Sequence, residues 1–445
     1  MNWFRPLSIP EIILRSLRCL AAVWLAAQLI APACVLASYG ELQILHNFPS
    51  NSYPECTLVF GDDGALYGTT QQGGAFGRGS IFRITTGGTF TNLFSFRGSD
   101  GTYPITGLVK AGANFYGTAF QGSNGFGTVF RFNTDGVLTP LFAFSKTDGA
   151  SPQSILTPGK DGALYGTTYL GGTSNLGTVF RITTNGQLTT LASFVGTNGA
   201  HPVGGLTQAQ DGSFYGSTRE GGPSNNPVGY GTLYRVTTNG QLTTLYEVPG
   251  FGDEFVVGEL TQMEDGCLYG ATFTSLFRLS TNGVFTRIGY NPLAPIYPRS
   301  GLMRGLDGAL YGMAHNAAYR VTTNGVIYQL YPFYNFWNGS DPRGGLVQSP
   351  GTTFFGTMSQ GGSDTGGVVF RIDLRTFFYP PVEASEGWKL FFSGLPGNAY
   401  RIERATNFNG PWTPAAEEVP TDDYGLGLWI DTVRQDKAYY RLIDP

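Results

Sequence analysis

The sequence predicts an all-β fold: a seven-bladed β-propeller closed by an N-terminal strand, plus a small C-terminal β-sandwich-like module. Three observations carry that prediction. An aromatic-Gly pair recurs with its aromatic at Tyr67, Tyr116, Tyr165, Tyr215, Tyr269, Tyr311 and Phe355, at spacings of 49, 49, 50, 54, 42 and 44 residues. Glycine is 65 of 445 residues and aromatics are 14%, whereas charged residues are only 13%, about half the usual share. Asp-Gly and Asn-Gly pairs punctuate the copies, as hairpin turns require. Self-similarity at this period marks a propeller or a solenoid. The 3.6-residue periodicity of a helical solenoid is missing.

Residues 1–37 read as a secretory signal peptide. Arg5, Arg15 and Arg18 precede an apolar run from Cys19 to Ile30, and small-residue cleavage sites follow at Ala31-Pro32-Ala33 and at Val35-Leu36-Ala37. The second is preferred, leaving Ser38 as the first mature residue. An uncleaved anchor is the alternative, but the run is shorter than the ~20 apolar residues a span needs. Removing three arginines and one glutamate takes the formal charge from −4 to −6. A mildly acidic chain without a basic block is a poor nucleic-acid binder. Cys56 and Cys267 fall in different copies and are expected to be small buried residues rather than a disulfide.

Each copy opens with a proline twelve or thirteen residues before its aromatic: Pro54, Pro104, Pro152, Pro202, Pro298 and Pro342, with Val256 in the fifth. An aromatic-Arg pair closes each copy, at Arg83, Arg131, Arg181, Arg235, Arg278, Arg320 and Arg371. Four short strands fit between these marks. Strand A enters an Asp-Gly turn such as Asp161-Gly162, read as a type I′ hairpin. Strand B carries Tyr-Gly-Thr, strand C carries Val-Phe-Arg and enters Asn-Gly as at Asn185-Gly186, and strand D is Leu191 to Phe194 and its equivalents. Copy seven lacks a strand D after Arg371, and Glu41 to Phe48 is expected to supply it, removing an open edge.

The pattern stops near Thr376, and Tyr379-Pro380-Pro381 marks a linker. Strand-like runs then appear at Trp388 to Phe392, Tyr400 to Arg404, Leu428 to Asp431 and Tyr439 to Leu442. The expected divisions are therefore a signal at 1–37, the propeller at 38–377 and a sandwich-like module at 381–445.

Copy three reads GALYGTT, then Gly171-Gly172, then GTVFRITTNG from Gly177 to Gly186. This resembles the GloVer-type tandem repeat of secreted bacterial proteins, in seven copies. The resemblance implies export, hence a secreted or cell-surface protein, and names no molecular activity. The C-terminal piece is similar to modules that end many such proteins, without the hydrophobic tail of anchored members. A kelch-like reading shares the diglycine and the period, but the repeating kelch tryptophan is absent.

Length variation points to a site. From the strand B aromatic to the strand C arginine the copies measure 16, 15, 16, 20, 9, 9 and 16 residues, so copies 5 and 6 lack the Gly-rich B–C loop. Variable B–C and D–A loops share one face, where function concentrates. The expected site is a notch over blades 5 and 6, floored by Thr274 and His315. Its walls are the blade 4 loop, with Arg219, Glu220 and Tyr230, and the aromatic segment with Phe336 and Trp337. Rings beside amides and charges suit a glycan or a protein. The plainer alternative is that copies 5 and 6 have drifted and Trp337 packs on its neighbour.

The strand C arginines are expected to make one repeated blade-to-blade structural bond. Loop residues such as Asp100, Asp148, Asn198, Asp253 and Asp341 read as turn caps, and His46, His201 and His315 lack zinc-ligand spacing, so no metal or cofactor is expected. There is no HExxH, nucleophile elbow or P-loop. The leading expectation is a monomeric, non-catalytic propeller binding an extracellular glycan or protein. The alternative is an extracellular carbohydrate-active hydrolase or lyase, with Glu220 and Asp253 as the first acidic pair to inspect.

Overall fold

The computed structural model describes residues 40–443 except 123, 224–229, 250–254, 290–296, 324, 334–337, 375–376, 379–381, 385–386, 395–397, 406–410, 422–425 and 433–438. The described residues are all-β and carry no helix long and apolar enough to cross a membrane. Seven antiparallel sheets correspond to the seven sequence copies. In the third, Thr157–Pro158, Leu164–Thr168, Thr178–Ile182 and Leu188–Ser193 pair in sequence order. The fourth sheet gains a fifth strand because Ala200–Pro202 and Thr207–Gln208 pair separately with Phe214–Glu220. In the sheet of copy seven the fourth strand is Gly40–Asn47, antiparallel to Val368–Leu374 with Leu42 opposite Ile372.

The glycine of each aromatic-Gly pair has a steric cause. Gly166 faces Phe180 across the B–C ladder, and a Cβ on it would lie 2.6 Å from the Phe180 ring. The same approach recurs at Gly68 on Phe82 and at Gly356 on Phe370, both at 2.5 Å. The strand C ring therefore lies flat over bare backbone. The aromatic before the glycine points to the other face of the strand and packs between sheets: Tyr67 stacks on Phe115 at 4.4 Å, and Tyr165 on Phe214 at 4.0 Å.

Each sheet buries its two faces against its neighbours. One apolar cluster joins Tyr67 to Phe115 and Phe130, another joins Tyr165 to Phe214 and Tyr234, and another joins Phe355 and Val369 to Cys56, Leu58 and Phe82. Polar bonds run beside these clusters. Thr69 Oγ1 donates to the Thr106 carbonyl at 2.8 Å, Thr357 Oγ1 donates to the Cys56 carbonyl at 2.8 Å, and Thr207 and Thr261 donate to the carbonyls of Leu260 and Leu302. Cys56 and Cys267 are both free and buried, and burial pushes the Cys56 thiol up to about 11.

Two local expectations need correction. The Asp-Gly turns are not type I′, which needs a positive φ at both central residues. Gly162 has a φ of 78°, while Asp161 has no positive φ. Gly162 N donates to the Gly159 carbonyl, giving a four-residue turn that ends on the left-handed glycine. The strand C arginines do not bond blade to blade. Arg181 Nε donates to Asp161 Oδ2 at 2.8 Å within its own sheet, and the same carboxylate accepts the Tyr165 hydroxyl at 3.1 Å and the Ala163 N–H at 3.2 Å. Asp63, Asp265 and Asp307 repeat this cluster with Arg83, Arg278 and Arg320. Asp211 takes Tyr215, while Arg235 Nε donates to Ser213 and Arg371 turns to Asp373.

After the repeats, Phe377–Phe378, Val382–Ala384, Gly387–Ser393 and Leu426–Asp431 form one sheet, and Ala399–Ala405, Thr413–Pro420 and Tyr439–Ile443 another. Phe392 of the first meets Tyr400, Ile402 and Val419 of the second. Buried Asp431 accepts both Arg404 Nη1 and the Tyr440 hydroxyl, tying the sheets together. Thr413–Pro420 carries two prolines and two glutamates, a composition depleted in strands, and the sequence reading missed it.

Desolvation raises the carboxyls of Asp63, Asp161 and Asp265, but hydrogen bonds from arginine, tyrosine and backbone outweigh it and leave them below the ordinary carboxylate value. Their contribution to stability is thus present above the unfolded pKa of about 4 and is lost as pH falls through the lowered values. The Asp307–Arg320 pair is the buried member, with side chains 7% and 5% exposed against 39% and 30% for Asp161–Arg181. Asp307→Ala should cost about 3–5 kcal/mol and Asp161→Ala about 1 kcal/mol by urea unfolding. Equal costs would show that burial does not set the strength of this cluster. Gly166→Ala should cost about 1–3 kcal/mol by overpacking against Phe180, and an unchanged unfolding midpoint would contradict the steric reading.

Candidate functional site

The strands that build the sheets also deliver variable residues to one pocket of about 410 Å³. The residue after each opening position lines it in all seven copies: Glu55, Ile105, Gln153, Val203, Val257, Arg299 and Arg343. Two residues further on, Thr57, Gly107, Ile155, Glu259, Gly301 and Gly345 line it too. Side chains alternate along an extended strand, so positions two apart share a face. The repeat is uniform in shape here and variable in chemistry. Comparing the copies at these fixed positions, rather than by loop length, is the signal that would have found the pocket from sequence.

The residue before each opening proline is held in a left-handed conformation. Tyr53, Tyr103, Ser151, His201, Tyr297 and Asp341 have φ between 47° and 56°, which costs a non-glycine residue about 1–2 kcal/mol. Two backbone bonds impose it. The Ser151 and His201 N–H groups each donate to a B–C loop carbonyl of the preceding copy, Phe126 and Leu176, at 2.8 Å. The carbonyl accepts from the residue just past strand B: His315 N donates to Tyr297 O at 3.0 Å, and Phe273 N to Phe255 O at 3.1 Å in the copy that opens with valine. D–A and B–C loops are thereby pinned together at the pocket mouth.

Copies 5 and 6 give the mouth its aromatic and basic arc. Their B–C connections shrink to tight turns, Ala314 pairing with Ala317 and Thr272 N donating to Ser275 O at 2.7 Å. Phe273 sits in the first turn and His315 in the second. Phe255 stacks on Phe273 at 5.6 Å, with the Arg219 guanidinium 5.8 Å from the Phe255 ring and that of Arg299 5.4 Å from Phe273. Tyr297, 41% exposed, lies 5.7 Å from Phe273. Arg299 Nη2 lies 3.5 Å from His315 Nδ1.

Acidic groups complete the site. Arg343 Nε donates to Asp341 Oδ2 at 2.8 Å, and its Nη1 lies 3.5 Å from Glu55 Oε1. Burial pushes the Glu55 carboxyl up, Arg343 opposes it and Asp341 reinforces it. Burial also pushes the Glu259 carboxyl up, against hydrogen bonds from its own N–H and that of Gly205. Among the described residues no group of three or more His, Cys, Asp or Glu is arranged to hold a metal.

The residues expected from sequence fall in several places. Arg219 lines the pocket and His315 stands beside Arg299. Thr274 occupies the short turn next to Phe273 but does not line the pocket. Glu220 lies 3.7 Å from His201 Nε2, whose ring stacks on Tyr169 at 4.6 Å. Tyr230 packs against the apolar cluster of Leu233 and Val248. Phe336, Trp337 and Asp253 lie outside the described residues.

Known structures share the fold. A catalytically inactive virginiamycin B lyase from Staphylococcus aureus, solved with quinupristin, is 19% identical with a TM-score of 0.58, covering 76% of this chain and 100% of that one. PorZ, a surface component of the type-IX secretion system of Porphyromonas gingivalis, is 12% identical with a TM-score of 0.54, over 91% of this chain and 59% of that one. The extracellular domain of a putative one-component system from B. thetaiotaomicron is 13% identical with a TM-score of 0.52, over 85% and 48%. At these identities the likeness is one of propeller-like fold alone. No curated protein matches the chain by sequence. The repeats themselves are matched: residues 35–228 are similar to the Gloeobacter/Verrucomicrobia repeat.

Proposed function

We propose that the seven sheets close into a ring and that the protein is an exported, non-catalytic propeller binding an extracellular glycan at the axial mouth. The pairing of Gly40–Asn47 with Val368–Leu374, and the apolar cluster joining Phe355 to Leu58, support closure between the last copy and the first. Two structural neighbours are an extracellular domain and a surface component, which supports an extracellular location. The observation that carries the binding reading is the row Arg219, Phe255, Phe273 and Arg299 at the pocket mouth. Exposed rings offer flat faces for sugar stacking, and guanidinium edges offer donors to oxygen.

One observation favours the alternative reading, an extracellular carbohydrate-active hydrolase or lyase. Glu55 and Glu259 both line the pocket, and burial raises both carboxyls toward the range of a general acid. This pair replaces Glu220, which lies beside His201 instead.

A glycan array with product analysis separates the readings. The expected outcome is retention of a glycan without cleavage, with affinity reduced about tenfold in Phe273→Ala. Cleavage that disappears in Glu259→Gln and Glu55→Gln would replace binding with catalysis. Unchanged affinity in Phe273→Ala would remove the aromatic row from the site.

A further inference from the structure

We infer that the glycan taken at this mouth is acidic, with a sugar carboxylate held by Arg219 and Arg299. The inference rests on the glycan reading above and names the ligand class for the same site. It starts from two arginines at the pocket that have no close carboxylate partner among the described residues. Arg83, Arg181, Arg278, Arg320 and Arg371 each donate through Nε to an aspartate at 2.7–3.0 Å, and Arg343 is held between Asp341 and Glu55. Arg219 has no carboxylate within ion-pair distance among the described residues, and its recorded contact is the Phe255 ring.

Arg299 is the sharper case. Its Nε is buried and makes no hydrogen bond. The nearest carboxylate oxygen, Asp341 Oδ1, is 3.9 Å away, and Oδ2 of the same group already accepts from Arg343 at 2.8 Å and from Ser359 Oγ at 3.3 Å. A buried donor without an acceptor costs about 1–3 kcal/mol, and an incoming oxygen would satisfy it.

The charge balance sets the ligand's charge. Arg219, Arg299 and Arg343 face Glu55, Asp341 and Glu259 across the mouth and its supports. Burial pushes the carboxyls of both Glu259 and Glu55 up, which weakens the acids against the three guanidinium groups. A monoanion fits this balance, whereas a phosphate dianion would meet the acids. Guanidinium groups pair with planar carboxylates through two parallel bonds. The neighbouring rings Phe255, Phe273 and Tyr297 suit a pyranose face, which favours a uronate over an acidic peptide.

Calorimetric titration of the purified chain tests this. The probes are tetrasaccharides of galacturonate, glucuronate and mannuronate, each beside its neutral galactose, glucose or mannose counterpart, and a tetraglutamate peptide. At least one uronate should bind ten times or more tightly than its neutral counterpart, with the preference shrinking as salt rises. Arg299→Gln and Arg219→Gln should each remove most of that preference and leave thermal unfolding unchanged. Equal binding of a uronate and its neutral counterpart would overturn the acidic assignment and leave the glycan reading standing. A preference retained in both arginine variants would overturn the assignment to these residues. Binding of tetraglutamate alone, or of no probe, would overturn the glycan reading and this inference with it.

Discussion

A bare backbone under an aromatic ring is the constraint on which each sheet depends. Gly68, Gly117, Gly166, Gly216, Gly270, Gly312 and Gly356 would each place a Cβ 2.5–2.7 Å from the ring or hydroxyl of a strand C Phe or Tyr. No other residue leaves that space empty. The ring covers a strand that would otherwise be weakened by glycine, and the aromatic one residue earlier points the other way into the next sheet's cluster. One dipeptide therefore sets both the B–C contact within a sheet and the packing between sheets. Its recurrence is why copies differing by up to twelve residues in length keep the same core.

The functional consequence is a division of labour along each repeat. Residues that face neighbouring sheets are committed to packing, and the Asp–Tyr–Arg clusters hold the A–B turn to strands B and C. Positions just after the opening proline face the pocket instead and are released from that requirement. They hold acid, amide, aliphatic and arginine side chains on a frame that stays the same. A site assembled this way sits on the short segments that lead into strand A rather than on long loops. The left-handed residues at Tyr297 and Asp341 belong to that frame, because the conformation recurs before every opening proline.

The mouth is uneven from copy to copy. Ile105, Ile155 and Val203 present apolar side chains, whereas Arg219, Arg299 and Arg343 gather the cations on the side of copies 4 to 7. Copies 5 and 6 contribute by subtraction: with the Gly-rich loop removed, Phe273 and His315 stand at the ends of two-strand turns where other copies carry loop. Loop length in the sequence pointed toward the same sector as this pocket, while choosing Thr274 over its neighbour Phe273. One residue along a tight turn reverses which side chain faces the pocket.

The sequence by itself determined the all-β class, the repeat and its strands, and the strand outside the repeat that pairs with Val368–Leu374. Those features rest on local patterns: hairpin glycines, alternation and the aromatic-Gly pair act on residues a few positions apart. The tertiary structure alone decided the partner of each strand C arginine, which lies 20 residues back in copy three and 13 in copies five and six. It also decided that Glu220 meets His201, and that Arg219, Phe255, Phe273 and Arg299 form one row. That row draws on three successive copies, and its members touch only because each sheet packs on the next. Contacts set by packing between copies leave no local pattern in the chain.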